Sequence, residues 1–112
     1  MAISYTDAGD VRTINITGRL DVEGANSVSE QLVSLAQAAK KGVVVDLSTL
    51  KFLASIGIRA LITSAKAVKA RGGKMALVVD ANSTVMMSIK ATGVDQLVPV
   101  YDSTPEAAKA TA

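Results

Sequence analysis

Hydrophobic and polar positions alternate with period two at the start of the chain. Ile3-Ser4-Tyr5 alternates weakly, Asp7-Ala8-Gly9-Asp10 supplies turn residues, and Val11 with Thr13-Ile14-Asn15-Ile16-Thr17 alternates again. This pattern predicts a hairpin of two strands, ended by Gly18. Asp21 is placed to lead into a helix. Ala25, Val28, Leu32, Leu35, Ala36 and Ala39 fall on one helical face, and Lys40-Lys41-Gly42 forms a stop signal. Val43-Val44-Val45 is a continuous apolar run, as expected for a central strand covered on both faces. A second helix is predicted from about Ser55 to Arg71, with Ile58, Leu61, Ile62, Ala65 and Val68 as its buried stripe and Gly72-Gly73 as its end. Met75 to Val79 reads as another buried strand. Ser83 to Ala91 reads as a third helix burying Val85, Met86 and Ile89 and closed by Gly93. Leu97-Val98-Pro99-Val100 reads as a short edge strand, because proline cannot donate to a ladder. Thr104-Pro105-Glu106 opens a terminal helix, with threonine as cap and proline at the first helical position.

The predicted order is ββαβαβαβα. Alternating strands and helices imply an α/β fold: a mixed, mostly parallel sheet with crossover helices and one antiparallel strand from the opening hairpin. A chain of 112 residues, 49% hydrophobic, is long enough for one modest core, so a single domain over residues 1–112 is expected. With one Phe, two Tyr and no Trp, that core is aliphatic. No apolar run approaches the roughly 20 residues of a membrane helix, and the N-terminus lacks the plan of a signal peptide. The absence of cysteine excludes disulfides. Together these features predict a cytoplasmic protein with no membrane insertion.

The net charge of +2 is too small to imply direct nucleic-acid binding, but the charges are unevenly placed. No acidic residue occurs between Leu47 and Val79, where Lys51, Arg59, Lys66, Lys69, Arg71 and Lys74 all lie. If the fold gathers them, they form an anion-attracting face; otherwise they are a solvated surface. Catalytic chemistry is poorly supplied. Without His or Cys there is no ordinary triad, thiolate nucleophile or common zinc site, and no phosphate-loop motif is present. No enzyme activity, cofactor or metal is expected. Met75, Met86 and Met87 read as core filler or a partner-binding surface. Asp46, at a strand end, reads as a structural acceptor for the following loop.

The segment from Val43 to Ser48, running into Phe52-Leu53-Ala54-Ser55-Ile56-Gly57-Ile58-Arg59, is the most informative. A buried strand stops and a helix starts with serine at its mouth, where free amide N–H groups and the helix dipole favour a phosphate. Ser55 therefore reads as a helix N-cap, as a phosphorylation site, or as both.

These residues carry a resemblance. Thr17-Gly18-Arg19-Leu20-Asp21 resembles the hydrophobic-Thr-Gly-Glu-Leu-Asp signature of the STAS family, the anti-sigma factor antagonists and their relatives. Val45-Asp46-Leu47-Ser48 and Phe52-Leu53-Ala54-Ser55-Ile56-Gly57-Ile58 resemble its Asp-Leu-Ser and Phe-(Leu/Met)-Asp-Ser-(Ser/Thr)-Gly-Leu segments, at fitting spacing. Gly72-Gly73-Lys74 and Ala91-Thr92-Gly93-Val94 extend the likeness over nearly the whole chain. The resemblance implies an anti-sigma factor antagonist that captures a serine kinase doubling as anti-sigma factor. Phosphorylation at Ser55 releases that partner, and a PP2C-type phosphatase reverses the modification. The docking face expected on this chain is made of Ala54, Ser55, Ile56, Gly57 and Arg59 with Asp21 alongside, Gly57 in the first helical turn keeping the surface open to the kinase.

Two positions depart from the pattern: the motif aspartate is Ala54, and the second Ser/Thr is Ile56. The first change removes a carboxylate that would orient the hydroxyl or help bind the kinase's metal, and also a negative charge beside an incoming phosphate. Arg59, at i+4 from Ser55, is placed to offset it by stabilising a phosphorylated state. Asp21 reads alternatively as a cap of the first helix. Two other functions stay open: an unphosphorylated STAS scaffold in a lipid-transport or stress-signalling complex, and small-anion or nucleotide binding at the helix mouth.

Overall fold

The computed structural model describes residues 2–20, 22–53 and 55–111, and the side chains of these except residues 2 and 19–27. Strands β1 (Ala2–Ala8) and β2 (Val11–Leu20) form the antiparallel hairpin, turning at Gly9, whose φ of 61° suits glycine. Helix α1 (Val22–Ala38) leads to β3 (Gly42–Asp46), which pairs in parallel with β2. A short strand β4 (Leu50–Leu53) precedes helix α2 (Ser55–Ala70), and β5 (Lys74–Val78) follows, parallel to β3. Helices α3 (Thr84–Thr92) and α4 (Val94–Leu97), strand β6 (Val100–Tyr101) and helix α5 (Thr104–Thr111) complete the chain. The sheet order is β1-β2-β3-β5-β6, with β4 pairing β2.

The apolar run in β3 is explained by layers on both faces of the sheet. Val43 and Val45 join Leu77 from β5, Leu32 and Ala36 from α1, and Ile58, Leu61 and Val68 from α2 in the main core. Val44, between them, points the other way with Ala76 and Val78 against Ala107 of α5. All three valines are fully buried, so no polar alternation is possible there. The α2 stripe is as predicted except that Ile62 is only partly buried, while Ala60 and Ser64 are buried. No helix among the described residues is long and apolar enough to cross a membrane.

All nine predicted elements are present, with differences at their edges. Gly18 does not end β2: the strand continues to Leu20, and at Gly18 (φ 86°) its partner changes from β3 to β4. A glycine in the left-handed region supplies the irregularity that lets one strand serve two neighbours. Leu97, expected in the edge strand, lies in the added single-turn helix α4, which follows the left-handed Gly93. The edge strand itself is only Val100–Tyr101, and Leu77 N–H donates to the Pro99 carbonyl at 2.9 Å just before it. The cap of α5 is Ser103 rather than Thr104. Ser103 Oγ accepts from Glu106 N at 3.5 Å, and the Thr104 hydroxyl is turned to Asp46 Oδ2 at 3.4 Å.

Candidate functional site at the mouth of helix α2

The site is built from the end of β3 outward. Asp46 Oδ1 accepts from the Ser48 backbone N–H at 2.9 Å and from Ser48 Oγ at 2.6 Å, closing the turn after β3. Its other oxygen meets Thr104 of α5. Asp46 thus acts as the structural acceptor expected of it. Leu47, Leu50 and Leu53 are buried anchors of the loop and β4, and Leu47 N–H donates to Val78 O at 2.8 Å. Thr84, first residue of α3, donates its hydroxyl to Lys51 O at 3.2 Å, tying α3 to β4. Strand β4, from which α2 departs, is therefore held by β2 and α3, and the end of β3 before it by the start of α5.

A single residue, outside the described ones, separates Leu53 from Ser55, so α2 begins at Ser55 itself. Ser55 is the first residue of the helix. Its side chain is exposed and has no hydrogen-bond partner among the described residues. No acidic residue lies in the first turn of α2. The amide N–H groups of a first helical turn lack intrahelical acceptors, and the dipole there is positive.

The predicted docking residues separate into distinct environments. Ser55 and Arg59 are exposed and, at i and i+4, share a helix face. Arg59 makes no ion pair among the described residues, where the only one is Arg12–Asp7. Ile56 is half-buried against the core and lines, with Arg59, Ala60 and Thr63, an open groove against Ser29, Glu30 and Val33 of α1. Gly57, expected at the docking surface, is buried on the inward side of α2, so it serves packing between the helix and the core. Asp21 and Ala54 lie outside the described residues.

Part of the basic stretch gathers on one face. Ser55, Arg59, Lys66 and Lys69 recur at i, i+4, i+11 and i+14, an exposed stripe along α2 interrupted by the partly buried Ile62, with no acid on the helix. Arg71 leaves that face. Its guanidinium donates to the carbonyls of Ala36 (3.0 Å), Lys40 (3.2 Å) and Lys41 (3.3 Å) at the end of α1. Two large apolar side chains on β4 and α3 are exposed: Phe52 at 38% and Met87 at 70%. Of the methionines, which the sequence allows as core or as partner surface, Met75 and Met86 are core and Met87 is surface.

The sequence and the fold both match known proteins. The family model for the STAS domain matches residues 2–107. The anti-sigma F factor antagonist of Paenibacillus polymyxa is 28% identical over 94 residues, which cover 83% of this chain and 80% of that protein. The crystal structure of an anti-sigma factor antagonist from Mycobacterium paratuberculosis superposes with a TM-score of 0.87 at 23% identity, covering 98% of this chain and 92% of that one. The Bacillus cell fate determinant SpoIIAA, in its phosphorylated form, is similar with a TM-score of 0.71 at 16% identity, over 97% and 98% of the two chains. At these identities the structural likenesses concern the fold, and the family match spans nearly the whole sequence. This protein belongs to the STAS domain family.

Proposed function

We propose that this protein is an anti-sigma factor antagonist that docks its anti-sigma partner at the mouth of α2 and is switched by phosphorylation of Ser55. The observation that carries this reading is an exposed serine at the first position of α2, without a side-chain partner among the described residues and with unpaired Arg59 one turn on. The 28% identity to an anti-sigma F factor antagonist, and the fold shared with a protein known in a phosphorylated form, support it.

The switch follows from charge. A phosphate brings about −1.5 to −2 charges at neutral pH and strong acceptor oxygens. At the start of α2 those oxygens meet helix amides and the Arg59 side chain, so the fold tolerates the modification. The docking surface does not: a dianion now sits in a contact that otherwise includes Ile56, Phe52 and Met87, and desolvating it opposes association. The kinase is an ATP-dependent serine kinase that doubles as the anti-sigma factor, and a PP2C-type phosphatase restores the free hydroxyl. The protein is ligand and substrate in this cycle, not an enzyme.

Incubation with ATP and the anti-sigma kinase of the same organism, followed by mass spectrometry, tests the reading. The expected result is one phosphate on Ser55, none on the Ser55→Ala variant, and binding of the kinase by the unmodified protein. Tight binding of the kinase without any phosphate on Ser55 would instead leave a constitutive scaffold.

A further inference from the structure

A second concave site lies about 20 Å along α2 from Ser55, taking the rise of an α-helix over the interval from Ser55 to Lys69. It is a cleft of about 310 Å³ between the last turns of α2, the start of β5, the α4–β6 connection and the end of α5. Its walls are mainly apolar, with Leu97, Pro99 and Tyr101 on one side and Met75 and Ala76 beneath. Lys66 and Lys69 from α2 and Lys74 from β5 stand around it, all exposed and none in an ion pair among the described residues. No Asp or Glu side chain among the described residues lines it.

Each of these features is common alone, but their combination is specific. An exposed leucine needs no explanation singly. Here Leu97, 47% exposed, sits at the lip of a concavity whose neighbouring Val98 is buried. The volume is at the lower end of the range for small-molecule sites, which are mostly apolar with a few convergent polar groups. Lysine stems cover apolar walls while their ammonium groups stay in water, so three positive charges border a greasy floor. A purely apolar guest leaves those charges unused, and a small inorganic anion leaves the floor uncovered. We infer that this cleft binds a small amphiphilic organic anion, its charged head among Lys66, Lys69 and Lys74 and its apolar body against Leu97, Pro99 and Tyr101.

The site is independent of the docking face, and its test does not involve the anti-sigma partner. Titration of the full chain with decanoate, followed by amide NMR, gives saturable shifts centred on Gly73, Lys74, Leu97 and Tyr101. Decanol, which lacks the charge, and inorganic phosphate, which lacks the apolar body, each bind about tenfold more weakly or worse. Combined Lys66→Gln, Lys69→Gln and Lys74→Gln weakens decanoate about tenfold and leaves decanol unchanged. Lys69→Glu alone, which disturbs fewer positions, weakens decanoate more than Lys69→Gln does. Equal affinity for decanol or for phosphate, shifts centred on Ser55 and Arg59, or variants that bind decanoate like the parent would each overturn the inference.

Discussion

Replacing Arg71 by alanine tests how the helix pair that carries the docking face is held together. No basic residue lies in the last turn of α1; Lys40 and Lys41 follow it, and Arg71, just past the end of α2, adds a third positive charge bonded directly to the carbonyls there. The bond to Ala36 O, 3.0 Å and partly buried, is a charged donor on a neutral carbonyl, worth about 1.5 kcal/mol or somewhat more. The two longer, exposed bonds to Lys40 and Lys41 add a few tenths each, and the charge at the helix end contributes about 0.3–1 kcal/mol. Against this, Arg71 Nε is buried without a partner among the described residues, and its removal recovers part of the loss. The net expectation for Arg71→Ala is a loss of about 2 kcal/mol, or a fall in Tm of about 8 °C for a domain of this size. Arg71→Lys keeps the charge but not the fork and loses about half as much. Urea denaturation measures both, and amide exchange of the last turn of α1 rises in step. An Arg71→Ala variant within about 0.5 kcal/mol of the parent would refute the assignment of this residue as a clasp.

Leu61, fully buried between α2 and the sheet, loses about 3 kcal/mol on truncation to alanine, measured by the same denaturation. Asp46→Ala frees the turn after β3 and removes the acceptor of two Ser48 bonds. It lowers stability by about 1–2 kcal/mol and weakens kinase binding measured by calorimetry, although Asp46 itself is not part of the proposed contact. Arg12 donates to both carboxylate oxygens of Asp7, at 2.7 and 2.9 Å, and this bonding holds the Asp7 carboxyl below its ordinary range. The resulting stabilisation is full above the ordinary carboxylate pKa and is lost as pH falls through the depressed one, so Asp7→Asn destabilises at neutral pH and is indistinguishable from the parent in strong acid. In the Ser55-phosphorylated protein, Arg59→Ala raises the second phosphate pKa read by phosphorus NMR; an unchanged value would remove Arg59 from the switch.

Buried, continuous features were legible in the sequence. The β3 valines announce a strand with cover on both faces, and the α2 stripe by its spacing alone turns Ser55 and Arg59 outward. What stayed hidden depends on tertiary pairing. Leu50-Lys51-Phe52-Leu53 is buried only at its two ends, an i, i+3 spacing that suits a helix turn and not the strand period of two. It becomes a strand because β2 runs on past Gly18 to meet it. Read alone, Gly18 is a stop signal; its positive φ serves a change of partner instead. Arg71 belonged by composition to a basic run, and only the approach of α1 reveals the three carbonyls it serves. Gly73, a helix stop by sequence, also passes so close to the Lys41 carbonyl and the Arg71 guanidinium that a Cβ there would collide with both. At the site, sequence placed Gly57 on the surface because it is small and near Ser55, whereas helical phase turns it inward. Met87 was separable from Met86 only by that same phase.

The most direct test of the docking switch is the affinity of the partner kinase for the protein with and without phosphate on Ser55, measured by calorimetry on otherwise identical samples. Phosphorylation is expected to weaken binding by about a hundredfold or more, about 2.7 kcal/mol, with Ser55→Ala binding like the unmodified protein. Equal affinity of the phosphorylated and unmodified forms would contradict the switch.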